Sequence, residues 1–303
     1  MSRRMANVLF LFATIGWGSS YLFTHFAVHE LAPFTLVAIR FGMAFCIAFG
    51  VFYRHLIHVS KQTIGASMIL GGLMCTMFAM FNIVLKTENP STVGFLISST
   101  VIFVPLFNMF ITRKRPESTI IFGGIVTTAG LTIFMFDGGL AMDWGALLCI
   151  LTAIMFALHL VVNNYFAQKY DALQLGVYQL GFASVMGGGC MLSFESMSGP
   201  QSSLGWISIF VLAIICSAFG FVVQSVAQKY TSAVETGFIL ALEPVFSAIF
   251  AFIVLGEALV GKEWLGAFII FCGVLIACYQ RKEKVPHSSP FAMRMKARKI
   301  LTK

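Results

Sequence analysis

Ten apolar stretches of about 20 residues, separated by short polar turns, leave this chain few folds to adopt. They lie near 6–26, 34–53, 64–84, 92–112, 119–136, 144–164, 173–193, 204–225, 233–255 and 264–280. A helix of that length crosses the hydrocarbon of a bilayer, where only helices and closed barrels satisfy their own backbone. The connections "HELAP", "KTENPS", "RKRPES", "DGGLAMD" and "ESMSGPQSS" hold the turn formers and are too short to be extramembrane domains. Only 11% of the 303 residues are charged, against about 25% in a soluble domain, and 32 Phe and 16 Met suit lipid-facing and adaptable surfaces. The expected fold is an all-α integral membrane protein with ten transmembrane helices.

Lysine and arginine set the orientation. With the N-terminus inside, 17 of the 20 fall on the cytoplasmic side, eight of them after Tyr279. Lys86 and Lys262 lie outside, and Arg40 lies within a span. Both termini are therefore expected in the cytoplasm, in a multi-pass protein of the plasma membrane. The net charge of +8 is a topology signal with contact to anionic headgroups, not a nucleic-acid footprint. Arg3 and Arg4 ahead of an apolar run imitate a signal peptide, but the run is long and lacks an A-x-A-like cleavage site. The segment 281–303 is basic, carries two prolines and reads as a disordered or interfacial cytoplasmic tail. The seven cysteines sit in apolar runs without CxxC or Cys/His spacing, as reduced small hydrophobes.

A shift of 143 residues lays the second half on the first without a gap. Lys86 meets Lys229, Gly94 meets Gly237, Phe103 meets Phe246, Gly123 meets Gly266 and Gly130 meets Gly273. Near the front of each half a shift of 139 pairs Trp17 with Phe156 and Arg40 with Gln179. Five spans per half is an odd number, so the halves insert with opposite sense, a 5+5 inverted repeat. Carriers built this way hold their site near the midplane between the halves.

Ionisable side chains inside spans cost about 2.5–3.5 kcal/mol at mid-helix on insertion scales and point to function. Three qualify: Arg40, His159 and Glu243. Glu243 lies about ten residues into the ninth span, roughly 15 Å deep at 1.5 Å per residue, and Arg40 lies about 10 Å deep. They either line a shared cavity or form a structural ion pair between the halves. His159 is either an interhelical hydrogen bond or a substrate or proton group. Trp17, Ser20 and Tyr21 form a polar-aromatic patch suited to a planar substrate, or to close packing through "GWGSS". Tyr178 and Gln179 occupy the matching region of the second half. Thr100 is the counterpart of Glu243, and Phe246 adds shape beside it. Asn82, Asn163 and Gln224 fall toward span ends, where solvation at the interface accounts for them. The pairs Gly123/Gly130 and Gly266/Gly273 recur at two helical turns and suit close packing of the fifth and tenth spans. "GEALVGKE" misses a phosphate-binding loop because Glu263 stands where Ser or Thr is needed. His25 and His29 lack a third metal ligand, so neither metal nor cofactor is expected.

"WGSSYLFTHFA", "PFTLVAIRF" and "TGFILALEPVFSAIFAFIVLGEALVGKEWLGAFIIFCGVLIA" resemble the EamA-type transporters of the drug/metabolite transporter (DMT) superfamily. The resemblance runs to about Tyr279. It implies two five-helix repeats, over 1–138 and 139–280, followed by the basic tail 281–303. It further implies a central cavity and alternating access, with a substrate drawn from amino acids, purines, drugs, sugars or other solutes.

The function expected is secondary transport, more readily outward, of small organic metabolites or drugs, with Glu243 as the candidate proton site; the chain is not expected to be an enzyme. Partners expected are a small-molecule substrate and the lipid bilayer. Proton coupling and a homodimer are left open, and nucleic acid is excluded. An importer, facilitator or exchanger is the alternative within the class. An intramembrane enzyme would need polar residues clustered in a few spans, and a channel would show unsaturable conductance.

Overall fold

The computed structural model describes residues 1–88, 90–113, 115–135, 144–196, 199–255 and 261–278. The tail and the connection 137–143 lie outside them, as does most of "GEALVGKE". Among the described residues there are nine apolar helical spans long enough to cross a bilayer and a tenth, shorter helix over Ser118–Met135. The chain is an all-α integral membrane protein.

Six of these ten spans are unbroken: α3 (Pro33–Leu56), α4 (Lys61–Thr87), α7 (Ser118–Met135), α8 (Trp144–Ala167), α9 (Ala172–Phe194) and α14 (Gly261–Cys278). The sequence already marks where several begin. Pro33 opens α3 in the first turn, where its missing N–H is not needed. Ser60 and Asp171 cap α4 and α9, their side chains accepting from the N–H of Thr63 and of Gln174.

The other four are interrupted. The first consists of α1 (Arg3–Gly18) and α2 (Ser20–Glu30), and the fourth of α5 (Pro90–Ser98) and α6 (Thr100–Thr112). The eighth runs from α10 (Ser203–Val211) through a π-helical segment (Leu212–Phe219) into α11 (Gly220–Gln228). The ninth breaks at Ala241 and Leu242, between α12 (Ala233–Leu240) and α13 (Glu243–Leu255).

Two of these breaks stand in register under the 143-residue shift, since Ser99 corresponds to Leu242. At the first, the Ser99 and Thr100 hydroxyls donate back to the carbonyls of Leu96 (2.5 Å) and Ile97 (2.6 Å). At the second, Ala241 and Leu242 close i→i−3 bonds of 3.1 Å to Phe238 and Ile239. The chain then restarts as α13, with Glu243 and Pro244 in its first turn. That location explains the adjacent acid and proline. A first-turn proline forfeits no helical hydrogen bond, and a carboxylate at a helix N-terminus sits at the positive end of the dipole. Pro105 lies six residues past Ser99, inside α6.

The expected packing of α7 on α14 is present. A Cβ at Gly123 would stand 2.7 Å from that of Ala277, and one at Gly130 would stand 2.7 Å from the Ile270 nitrogen. Outward, large apolar side chains such as Val51, Phe110, Leu192 and Phe194 are exposed, as a lipid-facing surface requires.

Candidate functional site

The breaks converge on one cavity, where the first four spans meet the sixth, eighth and ninth. Trp17, Ser20, Tyr21 and Arg40 line it with Met77, Phe78 and Phe81 of α4 and Ile97 of α5. Thr152 and Phe156 of α8, Phe221 of α11 and Glu243 of α13 complete it. The space open to the centre of a water molecule is about 40 Å³, roughly three waters and too little for a metabolite. A smaller recess of about 10 Å³ adjoins it past Tyr21 and Glu243 and is lined by Thr100, Gly237 and Ala241.

The π-helical segment sets the cavity's electrostatics. The first half supplies hydrogen-bond partners to its backbone and side chains. The Trp17 indole Nε1–H donates to the Cys216 carbonyl at 2.6 Å, and the Cys216 thiol donates to the Gly16 carbonyl at 3.3 Å. One residue on, Ser217 Oγ accepts from Arg40 Nε at 2.7 Å. Gly220 is required beside this seam, because a Cβ there would stand 2.5 Å from Trp17 Nε1.

Arg40 is 1% exposed. Its guanidinium lies 4.5 Å from the ring centre of Phe78 and 5.3 Å from that of Phe41. Such cation–π contacts contribute up to about 2 kcal/mol when desolvated. Both terminal nitrogens, Nη1 and Nη2, are buried without a hydrogen-bond partner. Glu243 is buried at the same cavity, and no ion pair joins it to Arg40. The chamber thus has aromatic walls and two ionisable groups of opposite kind, Arg40 and Glu243, that form no ion pair with each other.

Polar contacts between the two halves close the bundle at both ends. Where the chain starts, Arg3 Nε and Asn7 Nδ2 donate to Glu235 at 2.8 and 3.2 Å, and Thr231 Oγ1 donates at 2.6 Å. At the opposite end Glu195 accepts from the N–H of Phe34 (2.9 Å) and of Thr35 (2.8 Å), capping α3. Glu30 reciprocates, accepting from the N–H of Gln201 at 2.9 Å and from Ser202, the cap of α10.

Of the expected site residues, the structure brings together Trp17, Ser20, Tyr21, Arg40 and Glu243, with Thr100 in the adjoining recess. Four stand apart. His159 Nε2 and Gln179 Oε1 are 3.0 Å apart behind Phe221, whose ring meets the imidazole edge-on at 5.9 Å. Tyr178 donates its hydroxyl to the Leu56 carbonyl at the end of α3 and packs beside Phe45 and Phe49. Phe246 packs against Gly18, where a Cβ would approach its own to 2.5 Å.

Asn82, Asn163 and Gln224 are all buried, correcting the solvated reading, and Asn82 donates to the Pro33 carbonyl at 3.0 Å. Asn163 belongs to a chain of side chains: Gln179 donates to Ser225, Ser225 to Asn163, Asn163 to Gln228, and Gln228 to Thr236. Glu235 went unread although Ser232-x-x-Glu235 is a capping-box spacing. Ser232 does accept from the Glu235 N–H at 3.2 Å, while the carboxylate turns to Arg3. Phe156 could be found as the repeat counterpart of Trp17; Met77, Phe78, Phe81, Ile97 and Phe221 carry no signal that separates them from other apolar residues.

The EamA-like transporter family matches this chain twice, over residues 4–136 and 143–279. An uncharacterized transporter of Archaeoglobus fulgidus is 24% identical over 283 residues, covering 89% of this chain and 96% of that protein. The uncharacterized transporter YyaM of Bacillus subtilis is 32% identical over 132 residues, 43% of this chain and 42% of its own. A solved crystal structure covers 91% of this chain and 97% of its own with a TM-score of 0.78 at 18% identity, a likeness of fold alone. The chain belongs to the EamA-like transporter family.

Proposed function

We propose that this protein exports a small organic metabolite or drug by alternating access, with its halves inserted in opposite sense and both termini in the cytoplasm of a plasma-membrane carrier. The supporting observation is the chamber between the halves, which Arg40 and Glu243 both line, with the two terminal nitrogens of Arg40 buried and without a hydrogen-bond partner. An uncompensated buried charge is expensive, and a chain retains one where a ligand compensates it. Closure at both ends fits an occluded state, from which Arg3–Glu235 releases toward one side and the Glu195 and Glu30 caps toward the other. Rocking that widens the chamber then admits a solute.

Glu243 is the site of proton coupling in this mechanism. Arg40, Tyr21 and Cys216 lie within electrostatic reach of it. A proton and a hydrogen-bond-donating solute compete for one carboxylate, which makes exchange of the two the simplest coupling. The test is transport in proteoliposomes under an imposed proton gradient. Saturable uptake with counterflow, and Glu243→Gln uncoupling solute from proton, is the expected result. Unsaturable flux overturns the carrier reading, and unchanged coupling in Glu243→Gln overturns the proton role.

A further inference from the structure

The first and eighth spans lie antiparallel along a seam between the halves. Glu30 meets Ser202, Ser19 meets Cys216, Trp17 meets Gly220 and Asn7 meets Thr231. In α11, Val222 and Ser225 face Gly176 of α9, and Gln228 faces α8, so Gly220 and Gln224, one turn apart, share the face turned to α1. The register sets Gln224 level with Ala13 and Thr14. Its side chain is 0% exposed, and neither Oε1 nor Nε2 has a hydrogen-bond partner. The Thr14 hydroxyl is spent on the Phe10 carbonyl. Past Cys216 the hydroxyls of Thr24 in α2 and Ser208 in α10 are also 0% exposed and without partners, on helices that pack together. The seam is thus hydrogen-bonded at its centre and at both mouths, and carries unmet polar groups in each arm between. Burying such groups costs free energy, and parting an arm returns them to water.

We infer that this seam is the route by which the chamber opens, pivoting on the Cys216 contacts: toward the chain-start end along Gln224, and toward the other end along Thr24 and Ser208. This rests on the carrier reading and names the path that the solute takes. Both spans are broken at the level of the pivot, the first at Ser19 and the eighth in its π-helical segment. Each arm can therefore swing while the other stays packed. Trp17 holds the Cys216 carbonyl at 2.6 Å and also lines the chamber, so parting either arm reaches the solute space. Asn7 and Thr231 close the chain-start mouth together with Arg3 and Glu235. Those bonds hold the arm shut, and the unmet amide of Gln224 drives it open.

The experiment uses the full-length protein in proteoliposomes of one orientation, with Gln224→Cys and Ser208→Cys as separate reporters. A membrane-impermeant methanethiosulfonate is added from one side, and modification is read at each reporter by peptide mass spectrometry, so the native cysteines stay in place. Residue 224 should react about tenfold faster from the chain-start side than from the other, and residue 208 the reverse. Asn7→Cys with Thr231→Cys, oxidised by oxygen and copper phenanthroline, ties the chain-start mouth. That lock should stop labelling at residue 224 and speed it at residue 208, and dithiothreitol should reverse both. Gln224→Met keeps the volume and removes both unmet groups. It should raise the unfolding temperature in detergent by roughly a few degrees and slow chain-start labelling of Ser20→Cys about tenfold. Residue 224 silent from both sides in folded protein, or equally reactive from both, overturns the route. A mouth lock without effect on residue 208 overturns the pivot. A lower unfolding temperature in Gln224→Met means that the amide is satisfied in the folded protein, and removes it as the driver. In each of these cases, Ser20→Cys reacting from either side leaves the carrier reading standing.

Discussion

The Trp17 indole and the Cys216 carbonyl meet at 2.6 Å across 199 residues of chain, where a helix of the first half touches a π-helical turn of the second. A carbonyl freed from a regular helix needs a donor when it is buried, and here a single side chain supplies it. Trp17→Phe keeps most of the ring and removes the donor. The expected loss is about 1–3 kcal/mol, the cost of a buried unsatisfied carbonyl, seen as reduced thermal stability in detergent. Gly220→Ala should act on the same contact from the other side, displacing the indole and lowering transport even where the protein still folds.

Glu195 and Glu30 cap helices of the opposite half at one end, and Glu235 gathers Arg3, Asn7 and Thr231 at the other. Glu195→Ala should cost about 1 kcal/mol, as a lost helix cap does. Together with Glu30→Ala it should favour opening at that end. In a background without native cysteines, a Ser20→Cys reporter should then react faster with a membrane-impermeant thiol reagent from that side. Glu235→Ala should raise reactivity from the other side only, and equal labelling from both sides would contradict the assignment of the ends.

Close packing of α7 on α14 has no room for a larger residue. Gly130→Leu should destabilise the protein by about 1–3 kcal/mol through overpacking, and Gly273→Leu likewise, while Gly50→Leu, which meets nothing within 4 Å, should be tolerated. Thermal unfolding in detergent reads all three.

Asp171 caps α9 from the connection before it. Burial pushes its carboxyl up, but the Gln174 N–H, His55 and Lys229 outweigh burial and hold it below the ordinary aspartate range. Folding therefore weakens its hold on a proton, and its stabilisation is present above about pH 4 and lost as pH falls further. Asp171→Asn should remove that acid-side slope from the pH dependence of thermal stability.

Much of this was legible in the chain. Span lengths follow from apolar runs because lipid tolerates no other solution, and the break at Ala241 and Leu242 was announced by Glu243 and Pro244. The π-helical turn was not. "LAIICSAF" is uniformly apolar, without proline or glycine, and its stabilising donors, Trp17 and Arg40, lie 199 and 177 residues away. Tyr178 shows the complementary limit: its counterpart region in the repeat faces the cavity, but a single hydrogen bond to Leu56 commits it to the end of α3. A repeat relation predicts position along a helix better than it predicts the direction a side chain takes after two copies diverge.

The chain of amide and hydroxyl groups from Gln179 through Ser225, Asn163 and Gln228 to Thr236 ties α8, α9, α11 and α12 together, all in the second half. In the first half, Thr14 bonds within its own helix to the Phe10 carbonyl and Ser98 to that of Gly94. This network is expected to make the second half the stiffer of the two. Backbone amides should exchange with deuterium more slowly in the second half, and mutations that alter turnover without altering affinity should gather in the first.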